Sequence, residues 1–132
     1  MPLVFALLAR AYEMAGQIEE AITPLTDALR IVERTGERCL QAKLYRHKGQ
    51  LLLLQGHAEA AEELYRKALN IAQEQRAKLW ELRAAVSLAR LHRDQGSPAE
   101  ARDLLAPVYG WFTEGFGTLD LKAAKALLDE LA

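Results

Sequence analysis

Three glycines, Gly16, Gly56 and Gly96, stand 40 residues apart, and the residues around each follow one pattern. Five positions after each glycine comes an alanine: Ala21, Ala61 and Ala101. Four further on is a large apolar residue (Leu25, Tyr65, Leu105), and three beyond that a small one (Ala28, Ala68, Val108). Upstream, Ala9, Gly49 and Ala89 lie seven residues before the glycines, Tyr12, Leu52 and His92 four before, and Phe5, Tyr45 and Ala85 eleven before. A period of this length is the mark of a stacked array, in which each unit buries its apolar face only against its neighbours. Few other architectures are compatible with it.

Each unit reads as two helices. Apolar residues recur at steps of three and four on both sides of the glycine, as in Ala61, Leu64, Tyr65, Ala68, Ile71 and Ala72. Small residues at fixed points let helices approach closely, large ones beside them fill the grooves, and the glycine supplies the left-handed residue that ends the first helix. Ser97, Pro98 and Glu100 form a restart signal: an N-cap, a first-turn proline and a capping-box acid. The pattern predicts helices at about 3–15, 18–34, 38–55, 58–75, 78–95, 98–113 and 119–131, and no strand, since no period-two alternation is present. Pro24 and Pro107 fall inside second helices, where each removes a backbone donor. Gly115-Phe116-Gly117 separates the third unit from a tail helix that Thr118 can cap. The expected fold is therefore all-α: a right-handed superhelical solenoid of three helical hairpins, with repeats at about 2–36, 37–76 and 77–116 and a capping helix at 118–131.

The spacing of small and aromatic residues resembles the tetratricopeptide repeat, a helix-turn-helix unit of about 34 residues. The resemblance covers residue 2 to about residue 113, with departures. The period is longer, the closing proline is replaced by Glu33, Gln73 or Thr113, and Lys48 and His92 stand where apolar or aromatic residues are expected. The stretches Trp80-Glu81-Leu82-Arg83-Ala84-Ala85, Leu88-Ala89-Arg90-Leu91 and the run from Leu105 to Phe116 resemble the C-terminal end of bacterial predicted ATPases and adenylate cyclases. That resemblance implies a cytoplasmic, non-catalytic regulatory module of a signalling protein, with any ATPase or cyclase chemistry in domains outside this chain.

The chain of 132 residues balances 17 Lys and Arg against 18 Asp and Glu, so no overall field favours nucleic acid or an acidic membrane. The apolar run from Leu3 to Ala9 is ended by Arg10, far short of a membrane span, and Met1-Pro2 lacks the basic start of a signal peptide. No Gly-rich phosphate loop is present, His47, His57 and His92 lack metal-ligand spacing, and Cys39 is alone, so neither a cofactor nor a metal is expected. His92 reads as a half-buried packing residue. The carboxylates, such as Glu62 four residues before Arg66, read as a solvated helix face. Tyr109, Trp111, Phe112 and Phe116 read as packing of the last helix onto the third unit, and Trp80 as a packing residue.

In a tetratricopeptide array the first helices line the concave side. The resemblance places Arg10, Lys43, Arg46, Arg83, Arg90 and Arg93 there, with Glu13 and Asp94 among them. Such a groove suits an acidic protein or peptide partner held by two-pronged arginine contacts. The alternative is a sensor domain that binds a small anionic ligand in the same concave groove. Alternatively, these are ordinary helix charges paired with neighbouring acids. The chaperone-tail clamp of the family is not implied, because Ala6 and Arg10 stand at the first of its places. Finally, Val4, Phe5, Leu7 and Leu8 give the first helix apolar residues on more than one side. Two outcomes follow: the chain is a fragment whose upstream repeats cover this face, or two copies bury it against each other as a homodimer.

Overall fold

The computed structural model describes residues 9–14, 16–35, 41–113, 115 and 117–131. Helical residues 9–14 form the described part of α1, followed by α2 (Ile18–Thr35), α3 (Gln41–Leu54), α4 (Ala58–Glu74), α5 (Lys78–Asp94), α6 (Pro98–Gly110) and α7 (Leu119–Leu131). No strand occurs among the described residues. The chain is an all-α, right-handed solenoid of helical hairpins closed by α7. Each of α2 to α7 packs on the next, and α5 also touches α3 and α7 across the array. This second set of contacts aligns the first helices of the hairpins side by side.

The glycine of each unit ends a first helix by one device. At Gly56, φ is +87°, its N–H donates to Leu53 O at 2.9 Å, and the His57 N–H donates to Leu52 O at 2.9 Å. This paired closure needs a left-handed residue, and it recurs at Gly16 and Gly96. It also closes α4, where the left-handed residue is Arg76 with φ +55°. There Arg76 N–H donates to Gln73 O at 3.1 Å and Ala77 N–H to Ala72 O at 2.9 Å. Arginine has a Cβ to accommodate in that conformation, and Gly36 precedes it by one repeat period in the sequence.

The restart signal works differently from the expectation. Pro98 does open α6, but Ser97 makes no side-chain capping bond, and neither do His57 and Ala77 at their helices. The capping box is absent: the Ser97 N–H that Glu100 would cap donates to His92 O at 2.8 Å, and the Glu100 carboxylate lies 3.7 Å from His92 Nδ1. The first-turn acids Glu59, Glu81, Glu100 and Asp120 still complement the helix N-termini electrostatically. At α7 the expected cap forms, with Leu121 N–H donating to Thr118 Oγ1 at 3.4 Å.

The core follows the repeat. Ala9, Ala21, Ala61, Ala89 and Ala101 are completely buried, as are Leu25 and Leu105. Gly49 sits at a close helix crossing: a Cβ there would lie 2.8 Å from Tyr65 Cε1 and 3.3 Å from Ala61 O. Tyr65 fills the space that the missing Cβ leaves, and its ring is buried. On α7 the buried stripe is Leu121, Ala124, Leu127 and Leu131, while Leu128 is only partly buried. His92 is buried rather than half-buried, between Glu62 at 3.8 Å and Glu100 at 3.7 Å. Trp111 is another departure: it is 57% exposed, edge-on to Phe112, with Lys78 Nζ 5.0 Å from its ring centre. Tyr109 and Phe112 do pack against the core, and so does Trp80. Phe116 lies outside the described residues.

Candidate functional site

The first helices present a groove made of two adjoining cavities. One, of about 180 Å³, is lined by Arg46 of α3, by Leu82, Arg83, Val86, Ser87 and Arg90 of α5, and by Asp120 and Ala123 of α7. The other, of about 330 Å³, is lined by Glu13 of α1, Gln50, Leu53 and Leu54 of α3, Tyr65 of α4, and Ser87, Arg90, Leu91, Arg93 and Asp94 of α5. They share Ser87 and Arg90. Helical spacing explains why: Arg83, Ser87, Arg90 and Asp94 succeed one another by three or four residues and form one face of α5.

Partners across the groove are not one sequence period apart. Arg83 and Asp120 are 37 residues apart, and so are Arg93 and Glu130. The same step relates Arg46 to Arg83 and Gln50 to Ser87. Adjacent first helices therefore meet about one helical turn short of the 40-residue repeat.

The arginines differ in how their charge is used. Arg83 is committed: its Nε donates to Asp120 Oδ1 at 3.1 Å and its Nη2 to Asp120 Oδ2 at 3.0 Å. Its guanidinium also lies 4.7 Å from the Trp80 ring centre. Arg93 is committed as well, to Glu130 at 2.7 Å and Asp94 at 3.1 Å. Hydrogen bonds to Glu130 and Asp94 hold it above the ordinary arginine range. Arg10 sits 3.9 Å from Glu13 on an exposed surface, and Glu13 in turn meets His47 Nε2 at 2.8 Å.

Arg46 and Arg90 are different. Arg46 Nε is shut off from solvent and has no hydrogen-bond partner among the described residues. Burial lowers its pKa, the nearby Arg83 lowers it further, and Arg90 adds to this, against Tyr65 and Asp120, which act in the opposite sense. Arg90 is exposed on the groove floor. Burial pushes the Tyr65 phenol up to about 12, against the influence of Arg46 and Arg90, so at neutral pH it remains an O–H group beside two cations.

Of the six expected groove cations, Arg46, Arg83 and Arg90 share the first cavity, and Arg90 and Arg93 the second. Lys43 and Arg10 line neither. With the 37-residue step, Lys43 is level with Trp80 rather than with Arg83. Val4, Phe5, Leu7 and Leu8 lie outside the described residues. Asp120, Ser87 and Tyr65 are groove residues that the sequence pattern does not point to. Asp120 carries a usable signal, since it stands 37 residues after Arg83 on a helix that replaces the next first helix.

Among the described residues no group of three His, Cys, Asp or Glu side chains is placed to hold a metal, and no helix is long and apolar enough to cross a membrane.

No curated protein matches the sequence. Among solved structures, the chain is similar to a variant of the nearly identical TPR-like repeats of a Podosopora anserina chain named for kinesin light chain. That match has a TM-score of 0.80 at 23% identity, over 98% of this chain and 64% of that one. The parent structure of those repeats gives 0.77 at 22% identity, over 98% and 64%. BtubC from P. vanneervenii gives 0.78 at 17% identity, over 98% and 61%. The chain thus spans under two thirds of the length of each, and at these identities the likeness concerns the fold. A family model for the tetratricopeptide repeat matches residues 40–109, more than half of the sequence, and the chain belongs to that family.

Proposed function

We propose that this chain is a non-catalytic protein-interaction module of a bacterial multidomain signalling protein, and that it takes an acidic segment of a partner into the groove along α3 and α5. Tetratricopeptide repeats generally mediate contacts between proteins, and that supports the class of function. The observation that carries the specific reading is the cavity in which three guanidinium groups, Arg46, Arg83 and Arg90, face a single carboxylate, Asp120. The bacterial signalling context rests on the resemblance of the Trp80–Phe116 region to the end of predicted ATPases and cyclases. On the same reading the chain works in the cytoplasm, as one domain, 1–132, built from repeats at about 2–36, 37–76 and 77–116. Val4, Phe5, Leu7 and Leu8 then contact upstream repeats or a second copy.

The small volume of the first cavity, about 180 Å³, favours a second reading in which a small anionic ligand is sensed. Hydrogen exchange separates the two. A protein partner should protect α3 and α5 along both cavities, leaving the outer faces of α4 and α6 unchanged. Protection confined to the outer faces would refute the groove reading.

A further inference from the structure

We propose that the cavity between α3, α5 and α7 is a subsite for a phosphoryl dianion, borne on a side chain of the partner segment, with Arg46 and Arg90 as its two free forks and Ser87 as a hydroxyl donor. The inference rests on the reading of this groove as the binding surface and names the chemistry that it selects.

Charge comes first. Three guanidinium groups and one carboxylate line the cavity, which leaves two positive charges uncompensated there. Asp120 satisfies Arg83 through both of its oxygens, so that fork is filled. What remains is Arg46, whose Nε is out of water and unpartnered, and Arg90, which is exposed and has no ion pair among the described residues. Ser87 is buried on the wall that both cavities share. A carboxylate brings two oxygens and one charge, enough for one fork. A phosphoryl group brings three acceptor oxygens and nearly two charges at neutral pH, enough for two forks and a hydroxyl. It also neutralises the cavity.

Energetics point the same way. A guanidinium with its Nε held from water and unpartnered, beside a second and a third one, costs free energy unless an anion completes it. A chain selected only for stability has no use for that arrangement. Arg83 and Asp120 act here as positioning residues: their bond fixes α7 against α5 and keeps Arg83 from closing over the space that Arg46 borders. The volume of about 180 Å³ is several times the ~30 Å³ share of one water, which leaves room for the group and part of its linker.

The test uses the full chain labelled for arginine Nε–Hε resonances, titrated at constant ionic strength and pH 7.5. The probes are inorganic phosphate, a capped phosphoserine peptide, its glutamate counterpart and acetate. The expected result is a saturable shift of the Arg46 Nε–Hε signal, with phosphoserine bound at least about tenfold more tightly than glutamate. Arg90→Gln should abolish it, and in Arg46→Met the Arg90 Nε–Hε signal should no longer respond saturably to phosphoserine. In thermal melts, Arg46→Met without added anion should melt at or above the wild-type temperature, and phosphate should raise the midpoint of the wild type only. A merely structural Arg46 would give the reverse: a lower melting point in the variant and the same phosphate effect in both proteins, which overturns the proposal. Glutamate binding as tightly as phosphoserine also overturns it, while leaving the acidic-groove reading intact. Binding of inorganic phosphate with exclusion of the capped phosphoserine overturns the side-chain source. No saturable shift with any probe overturns the subsite altogether, and the acidic-groove reading is then judged on partner binding alone.

Discussion

Replacing Gly49 by alanine sets two effects of known size against each other. Gly49 lies inside α3, where alanine is favoured over glycine by about 1 kcal/mol through helix propensity alone. Against this stands the crossing with α4. The new methyl would be 2.8 Å from Tyr65 Cε1, 3.0 Å from Cδ1 and 3.3 Å from the Ala61 carbonyl oxygen. Ordinary contact is about 3.5–4.0 Å. The Tyr65 ring is only 2% exposed and cannot swing out, and the Ala61 oxygen is backbone. Overpacking of this kind costs about 1–3 kcal/mol. The net expectation is a loss of about 1 kcal/mol, or roughly 3–5 °C in Tm for a domain of this size. Gly110, the last residue of α6, provides the control: a Cβ there meets nothing within 4 Å, so Gly110→Ala should be neutral or mildly stabilising. Urea unfolding followed by circular dichroism at 222 nm measures both. Gly49→Ala stabilised by the propensity value would refute the claim that this crossing is closed to a methyl group.

Three further outcomes follow from the same packing. Ala101→Leu, at a completely buried small position, should cost about 1–3 kcal/mol in a denaturant melt; a value near zero would mean that the small residues do not mark the helix crossings. Arg76→Gly should stabilise the chain by about 0.5–1 kcal/mol, because the left-handed closure of α4 is easier for glycine, and a loss of stability would show that the Arg76 side chain holds something more important. The Tyr65 phenol is raised to about 12 in the fold and titrates near 10 when unfolded, so the folded state resists its ionisation. Stability from this group is fully present below pH 10 and is lost progressively as pH rises from about 10 to 12. Absorbance at 295 nm should show a tyrosine step near pH 12, and Tyr65→Phe should remove that step.

Much of the fold is legible in the sequence because the repeat writes the same instruction several times. The glycines state where first helices end, and the alanines five residues later state where helices cross. Side-chain choices made only once are harder to read. Ser97 and Glu100 fit a capping box by type and spacing, yet Glu100 lies toward His92, a preference set by tertiary neighbours. On α7 both Leu127 and Leu128 continue the helical spacing from Leu121 and Ala124, and the fold buries Leu127 the more deeply. For the groove, the family pattern supplies the helices and the cations, but not their partners. The 40-residue period suggests that Lys43 and Arg83 are neighbours, whereas the tilt between successive first helices pairs residues 37 apart. That single offset accounts for the Arg83–Asp120 bond, the Arg93–Glu130 bond and the absence of Lys43 from the arginine cavity. It also shapes how the groove should be perturbed. Reversing Arg83 would set two carboxylates against each other and loosen α7, so Arg46 and Arg90 are the positions to change.

The central claim is that an acidic partner is held by the groove along α3 and α5, and the direct measurement is its affinity for charge-reversed variants of the purified chain. The partner, recovered with the wild-type protein and then purified, is titrated by calorimetry against Arg46→Glu with Arg90→Glu. A second variant, Glu59→Lys with Glu63→Lys on the exposed face of α4, serves as the comparison. The account predicts a loss of at least about 30-fold for the groove reversal, the scale of a desolvated charge pair broken at an interface. The α4 variant should stay within about twofold of wild type. An unchanged affinity in the groove variant, or a loss confined to the α4 variant, would contradict it.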